Sequence, residues 1–390
     1  MTTPRELPRA LLIFGAVLCG LFLLAYTFTL RSEHSYIYDR NGYVLGVDFV
    51  NSWMMGRAAL TEQTPGENYD IEHYTGKLRT LFGEDYRWQQ WSYPPNYVAA
   101  MAPFGALPYM LAWGVWLVLS LSMLWLAVRA REGQGTATFY ATLMLSPAAF
   151  IGLMSGQMIF LFTAAQILCF YWMDRKPVRA GVLLGLVSLK PHLGVLYPIF
   201  LASTRRWRMA IAAAVVTLLL VGLSIAMLGL ETWQAFLGNG IDQQYAYVLR
   251  NTAPTIIQMM PTLFMDIREL TGSHTLAMGI QIAAAIGVAC LLLTPRFRRL
   301  APTPQLLVFA TASVLLTPYL MAYDMLFFTC ALVRYAREYD VTRRGFWIIM
   351  LAYWLPFLHF FLGAVGIYGT AFLVPLVIGW LLAQPSSYTR

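Results

Sequence analysis

Residues 180–203 read AGVLLGLVSLKPHLGVLYPIFLAS, two apolar runs that are separated by Lys190-Pro191-His192. Each run holds about a dozen residues, which as a helix would span only ~18 Å of a hydrocarbon core ~30 Å thick. A helix that ends within the membrane must border protein or a water-filled cavity, because lipid offers no hydrogen bonds to its free backbone groups. The stretch therefore predicts a membrane protein with a cavity that opens outwards.

The whole chain has this apolar character. Of its 390 residues, 58% are hydrophobic and only 12% are charged, and apolar runs recur from Ala10 to Ala383. These runs lack the alternation of barrel strands, so we expect helices. The pattern predicts an all-α integral membrane bundle that forms a single domain, residues 1–390. The predicted spans, about twelve, are residues 10–30, 109–128, 136–152, 157–173, 180–190, 192–203, 209–228, 276–293, 303–317, 323–335, 345–361 and 366–383.

The net charge of +8 comes from basic clusters at the ends of the predicted spans. Since Lys and Arg accumulate in inner loops, crossing the membrane at every span puts all the clusters and both termini inside. A nucleic-acid partner is excluded, because the basic residues form no single soluble patch. The clusters are Arg5 and Arg9; Arg129 and Arg131; Arg175, Lys176 and Arg179; Arg205, Arg206 and Arg208; Arg296, Arg298 and Arg299; and Arg334, Arg337, Arg343 and Arg344.

Two polar segments, residues 31–92 and 231–275, are then expected on the outer face. Acidic residues concentrate in the first, between Glu33 and Asp85, and its amphipathic stretch 49–60 is expected to lie flat on the membrane. The four cysteines all fall in apolar spans without metal-ligand spacing, and the chain has no nucleotide-binding glycine loop. We therefore expect neither a metal site nor a cofactor.

Asp48 lies in Gly46-Val47-Asp48-Phe49, just outside the first apolar span. A carboxylate at a membrane face, beside an apolar groove, can take a proton from a hydroxyl during group transfer. The alternative is an N-cap, which the local sequence favours, because Asp commonly precedes a helix. The two roles are not exclusive, since each oxygen can serve one of them.

Lys190 ends a short helix at the outer side, where the positive-inside rule does not explain a lysine. It is either a snorkelling side chain or a ligand of an anion such as phosphate. His192 follows Pro191 and either donates to the same anion or plays a structural part. Arg250, in the second outer segment, is a further candidate for the phosphate or is simply solvated.

Four more residues fall on the outer side of the predicted bundle and could line a substrate pocket. Tyr93 and Tyr319 belong to proline turns, and Gln157 follows Ser155-Gly156 at a helix start, where plain turn chemistry is the alternative. Asp324 begins a span, so it either caps a helix or pairs with Lys190 or an arginine.

These features, in order, resemble glycosyltransferase family 87, which includes mycobacterial polyprenyl-phosphate-mannose-dependent α-1,2-mannosyltransferases. Each motif is short, but their order runs over nearly the whole chain. The matching segments are Asp48-Phe49, Asn68-Tyr69-Asp70, Tyr93-Pro94-Pro95, Ala102-Pro103, Leu107-Pro108, Ser146-Pro147, Gly156-Gln157, Ala180-Gly181 through Leu189-Lys190-Pro191, and Arg205-Arg206-Trp207.

The resemblance implies a GT-C fold in a bacterial cytoplasmic membrane, with the site facing outwards. It also implies a polyprenyl-phosphate-linked sugar donor, a glycolipid or glycan acceptor, and inversion at the anomeric carbon with Asp48 as base. Such enzymes need no metal for the donor chemistry.

There is one departure from the family pattern. Actinobacterial members carry a Ser-Trp-Asp-His-His-like segment in a late helix, and here the stretch reads Tyr323-Asp324-Met325-Leu326. The aspartate matches and the histidines are absent, so the sugar is left open, and His192 or Arg250 would make their contacts. The alternative function is a transporter or flippase of polyprenyl-linked glycans, but such a protein predicts repeat symmetry, which the sequence lacks.

Overall fold

The computed structural model describes residues 6–33, 36–250 and 253–384, and α-helices dominate it. The first elements are α1 (Glu6–Thr27), β1 (Arg31–Glu33), β2 (Tyr36–Tyr38), α2 (Val47–Thr61), α3 (Ile71–Phe82), α4 (Pro95–Gly105), α5 (Tyr109–Glu132), α6 (Thr136–Met144) and α7 (Pro147–Ser155). The next are α8 (Ile159–Trp172), α9 (Pro177–Val187), α10 (Tyr197–Ser203), α11 (Trp207–Leu228), α12 (Leu230–Ala235), α13 (Ile241–Leu249) and α14 (Pro254–Gln258). The last are α15 (Leu263–Thr271), α16 (His274–Leu293), α17 (Pro295–Arg298), α18 (Pro302–Leu316), α19 (Leu326–Glu338), α20 (Arg343–Ala364) and α21 (Leu373–Leu382).

Within the described residues, five helical segments are long and apolar enough to cross a membrane, and five shorter ones are apolar. The chain is therefore an all-α, multi-pass membrane protein, and the count of about twelve spans stays a prediction. The prediction that both termini lie inside concerns residues 1–5 and 385–390, which are outside the described residues. The long segments are Arg9–Thr27, Tyr109–Met144, Trp207–Leu228, His274–Leu293 and Arg343–Ala364.

The predicted span 136–152 is not one helix. Pro147 cannot donate a backbone hydrogen bond, and the helix breaks before it into α6 and α7. Ser146 caps the second piece, because its hydroxyl accepts from the backbone N–H of Ala149 at 3.3 Å. The break thus starts a separate helix, α7, which ends at Ser155 directly before Gly156.

The predicted pair of short helices is present as α9 and α10. The chain leaves α9 at Val187 and makes a 3-10 turn over Pro191–Leu193 before α10 begins at Tyr197. Lys190 lies at this turn with only 1% of its surface exposed. The charged end of α9 is therefore enclosed by protein rather than by lipid.

The basic ends of the late and early helices meet at one side of the bundle. Arg334 pairs with Glu132 and, at 3.1 Å, with Glu338, and Arg337 donates to the carbonyl of Gly135 at 3.0 Å. From this side α19 extends 13 residues, or ~20 Å, back to Asp324. Asp324 thus lies towards the opposite face.

The amphipathic stretch of the first outer segment forms α2, and its position against a membrane surface stays a prediction. Helix α2 packs against α4, and glycine at the crossing allows the backbones to touch. A Cβ on Gly56 would fall 2.2 Å from the carbonyl oxygen of Met101, and one on Gly105 would fall 2.1 Å from the backbone nitrogen of Arg57. The close crossing fixes the position of α2 on the bundle.

The second outer segment is helical rather than a loop, since it contains α12 to α15 and a π-helical turn, Phe236–Gly240. It contacts the first segment directly. The amide of Gln90 donates to the side-chain oxygen of Gln244 at 2.6 Å. The two segments therefore form one cover over the site described next.

Candidate active site

Asp48 lies in the first turn of α2 and is not its N-cap, so the cap interpretation is wrong. The N-cap is Gly46, whose φ of 83° is the left-handed conformation that glycine adopts without strain. A side chain at Gly46 would also meet the indole nitrogen of Trp113 at 2.5 Å. The carboxylate of Asp48 is consequently free to face the neighbouring helix α7.

Gln157 approaches Asp48 because two glycines meet. Gly156 ends α7 with a φ of 69°, and a Cβ there would lie 2.9 Å from the Cβ of Phe49 and 3.1 Å from the Cα of Gly46. The following residue, Gln157, donates from Nε2 to Oδ2 of Asp48 at 2.6 Å. No other side-chain hydrogen bond of Asp48 occurs among the described residues.

The other end of the Gln157 amide connects the carboxylate to a buried cation. Oε1 of Gln157 lies 3.4 Å from both the ammonium of Lys190 and the hydroxyl of Tyr93. Because Lys can only donate, the carbonyl end of the amide must face it. The NH₂ end must then face Asp48, which fixes the amide orientation.

Lys190 and Asp324 form an ion pair in the interior. Nζ lies 2.6 Å from Oδ1 of Asp324, and the two side chains are 1% and 0% exposed. His192 lies 3.3 Å from Oδ2, which also accepts from the backbone N–H of Met321 at 3.3 Å. The ammonium lies 4.9 Å from the ring centroid of Tyr323. Both oxygens of Asp324 are thus engaged, as a buried carboxylate requires.

The remaining predicted residues differ in their position. The ring of Tyr319 contacts His192, with 5.1 Å between centroids, and it lines the same cavity as Asp48. Arg250 is exposed at the end of α13, where its guanidinium lies 5.3 Å from the ring centroid of Tyr245. The structure therefore connects seven of the eight predicted residues in one cluster of contacts, and Arg250 is not part of it.

A cavity of about 300 Å³ is lined by Asp48, Tyr93, Gln157 and Tyr319, whereas Lys190, His192 and Asp324 lie behind this lining. Asp48 is the only charged residue among the described residues that line it. Its pKa is raised, because burial disfavours the carboxylate; the hydrogen bond from Gln157 and the charge of Lys190 oppose the rise, and the charge of Asp324 adds to it. The lining residues include Tyr43, Asp48, Asn51, Trp88, Gln89, Gln90, Trp91, Tyr93, Gln157, Gln244, Tyr247, Tyr319 and Tyr323.

A second, larger space of about 740 Å³ is an apolar groove along α9, α10 and α11. Pro94 and Pro191 line it, and each directly follows a residue of the site, Tyr93 and Lys190. The groove thus begins beside the Lys190–Asp324 pair. The other lining residues include Leu184, Val195, Tyr197, Leu201, Ala210, Ala213, Leu218, Val221, Trp233 and Phe236.

Several lining residues were not predicted from the sequence. Asn51 lies one helical turn after Asp48, and this spacing of polar residues in an apolar helix could have indicated it. Trp88, Gln244 and Tyr247 carry no such signal, because they reach the cavity only through the contact between the two outer segments. Among the described residues, no group of three or more His, Cys, Asp or Glu side chains is placed to hold a metal ion.

The fold and cavity describe a multi-pass membrane protein with an enclosed polar site beside an apolar groove. A family model described as glycosyltransferase family 87 matches residues 91–321. Because this match covers more than half of the chain, the chain belongs to glycosyltransferase family 87, and it is a glycosyltransferase. No curated protein and no solved structure matches it. Asp48 and Asp324 lie outside the matched range, so their roles depend on the geometry alone.

Proposed function

We propose that the protein transfers a hexose, with mannose as the first candidate, from a polyprenyl-phosphate donor to a hydroxyl of a glycolipid or glycan. The transfer inverts the anomeric carbon and occurs at the outer face of a bacterial cytoplasmic membrane. The observation that carries the proposal is the position of Asp48, a lone carboxylate in a polar cavity that adjoins an apolar groove.

The groove suits the lipid part of the donor. Its walls are formed by the short helices α9 and α10 and by α11, and they are almost entirely aliphatic or aromatic. A polyprenyl chain is a branched hydrocarbon, which would bury its surface there at a gain of ~25 cal/mol per Å². Pro94 and Pro191 mark the end of the groove where the phosphate and sugar would enter the polar cavity.

The donor phosphate would bind beside His192 and Lys190. Lys190 has three N–H donors and already directs two of them to Asp324 and Gln157, so one remains for a phosphate oxygen. His192 has the more accessible side chain, at 16% exposure against 1% for Lys190. Arg250, exposed on the outer cover, stays a third candidate for the phosphate.

The reaction requires one proton transfer and one displacement. Asp48 takes the proton of the acceptor hydroxyl. At the same time, the oxygen of that hydroxyl forms a bond to the anomeric carbon of the donor sugar. The bond from that carbon to the phosphate oxygen breaks on the opposite face, and its electron pair leaves with polyprenyl phosphate. The leaving group gains one negative charge, which Lys190 and His192 would stabilise. The proton remains on Asp48 until solvent removes it.

The raised pKa of Asp48 suits this role. A carboxyl group with an ordinary pKa is a weak base at neutral pH, and general-base catalysis improves as the pKa approaches the working pH. Asp324 is a poorer candidate, since Lys190, His192 and Met321 occupy both of its oxygens. Membership of a glycosyltransferase family also decides against the transporter alternative.

The proposal is tested with the purified protein in lipid nanodiscs. Polyprenyl phosphates that carry radiolabelled mannose, glucose or galactose are supplied separately with a bacterial glycolipid extract. We expect label from one of them to appear in a glycolipid product with the opposite anomeric configuration. Transfer from a soluble nucleotide sugar without any lipid-linked donor, or a retained configuration, would overturn the proposal.

A further inference from the structure

One wall of the cavity, which shares no lining residue with the donor groove, has a distinct chemistry. It is formed by the linker between α3 and α4 on one side and by α13 on the other. Trp88 and Tyr247 meet there with ring centroids 4.7 Å apart and planes inclined by 56°. Trp88 remains 40% exposed, so this ring pair offers an open aromatic face.

Carboxamide groups surround this ring pair. Asn51, Gln89, Gln90 and Gln244 line the same cavity. The side-chain oxygens of Gln89 and Gln90 are buried, and neither has a hydrogen-bond partner among the described residues. Gln89 is only 8% exposed, so solvent does not compensate its free oxygen. Buried polar atoms of this kind need a partner, and a bound ligand would supply it.

Taken with the proposed transfer reaction, on which this inference rests, we propose that the surface formed by Trp88, Tyr247 and these carboxamides is the acceptor subsite, and that it binds a neutral pyranose ring. The C–H face of a pyranose packs on aromatic rings, and its hydroxyls pair with carboxamides, which both donate and accept. An anionic acceptor finds no counter-ion there, since Asp48, itself acidic, is the sole charged residue among the described lining residues.

The subsite also accounts for the geometry of the reaction. Asn51 lies one turn from Asp48 on α2, and Tyr74 donates to its side-chain oxygen at 2.8 Å, which leaves the NH₂ group of Asn51 for the ligand. The acceptor would approach Asp48 from this side, while the donor approaches from Pro94 and Pro191. An inverting displacement requires the acceptor and the leaving phosphate to lie on opposite faces of the anomeric carbon, and two separate subsites would allow this.

The test uses saturation-transfer difference NMR with the full-length protein in nanodiscs. The probes are the methyl pyranosides of mannose, glucose and galactose, with glycerol as a hydroxylated compound without a ring. We expect at least one pyranoside to receive saturation on its ring C–H protons, and Tyr247→Ala and Trp88→Ala to reduce its affinity about tenfold, as truncation of an aromatic anchor typically does. Trp88→Phe, which keeps a ring, should retain most of the affinity.

The matched control is Tyr245→Ala. Tyr245 lies on the same helix two residues earlier, but it is not among the cavity-lining residues. The proposal is overturned if no pyranoside binds the wild type, if glycerol binds as well as the sugar, or if Tyr245→Ala and Tyr247→Ala reduce binding equally. These outcomes need no turnover, so they are distinguishable from a failure to transfer sugar from any polyprenyl-phosphate donor.

Discussion

Replacement of Asp48 by asparagine separates its chemical role from its structural one. The amide is nearly isosteric with the carboxylate, and its oxygen can still accept from Nε2 of Gln157, now 2.6 Å from the carboxylate. The N-cap of α2 is Gly46, so the helix start is unaffected. What the variant lacks is a group that accepts a proton at neutral pH.

The expected fall in kcat follows from the loss of the general base alone. General-base catalysis contributes roughly 10²–10⁴-fold, so kcat for sugar transfer should fall by that factor, equal to about 2.7–5.5 kcal/mol of activation free energy. The change of a charged hydrogen bond to a neutral one should alter the unfolding free energy by only ~1 kcal/mol. Activity and stability should therefore respond very differently.

The assay is transfer of labelled hexose from the polyprenyl-phosphate donor, with donor binding and thermal unfolding measured in parallel. Asp70→Asn is the matched control. Asp70 caps α3, where its carboxylate accepts from the backbone N–H of His73 at 2.8 Å, and asparagine caps equally well. This control should keep wild-type activity, because Asp70 does not line the cavity of Asp48.

The pH dependence gives a second readout of the same residue. Only the deprotonated carboxylate accepts a proton, so wild-type activity should fall as the pH drops through the pKa of Asp48. Since burial raises that pKa, the acid limb should lie above the pH at which an exposed aspartate titrates. If Asp48→Asn keeps turnover within tenfold of wild type, or leaves the acid limb in place, the base lies elsewhere.

Three further predictions concern the phosphate, the turn and the topology. Lys190→Met should raise the donor KM about 10–150-fold, because it removes a charge-assisted contact to the phosphate. The double variant Lys190→Met with Asp324→Asn should recover the unfolding free energy but not the use of the donor. An unchanged donor KM contradicts the assignment of Lys190. Gly156→Ala should cost at least ~1–2 kcal/mol in unfolding free energy, because its φ of 69° is left-handed; a thermal shift within error would refute this. A membrane-impermeant thiol reagent added outside should label a cysteine at Asp70 but not one at Arg206, and the reverse pattern would invert the proposed orientation.

The membrane class could be predicted from the sequence, because every backbone polar group in lipid must be hydrogen-bonded within the protein and apolar spans therefore form helices. Apolar length and the position of arginines predict helices and their direction, and α9 and α18 lie close to their predicted bounds, whereas α10 ends at the predicted residue but begins later, at Tyr197. The break at Ser146 was missed because apolar content does not change across it. The helical second outer segment was missed as well, since tertiary contacts, rather than a strong pattern, support its short helices.

The site was only partly predictable, because its ionisable residues stand out in an apolar sequence but its tertiary contacts do not. Ionisable residues at membrane depth are rare, which made Asp48, Lys190 and Asp324 visible as candidates. The cap interpretation of Asp48 failed because the backbone of Gly46, rather than side-chain propensity, decides where α2 begins. The role of Gln157 as the link between Asp48 and Lys190 depends on a meeting of two glycines 110 positions apart, which no local pattern records.

The Lys190–Asp324 pair has a consequence for how the chain is made. Its members are 134 positions apart, so at ~5–20 residues per second the ribosome delivers the aspartate roughly 7–27 s after the lysine. During that interval the translocon must handle a short helix with an unneutralised ammonium, which lipid alone does not accept. An ammonium without a counter-charge is stable only near water, so we expect the turn at Lys190 to stay close to the water interface during that interval. The ammonium can take its buried position once the 3-10 turn Ala322–Met325, which carries Asp324, has been made.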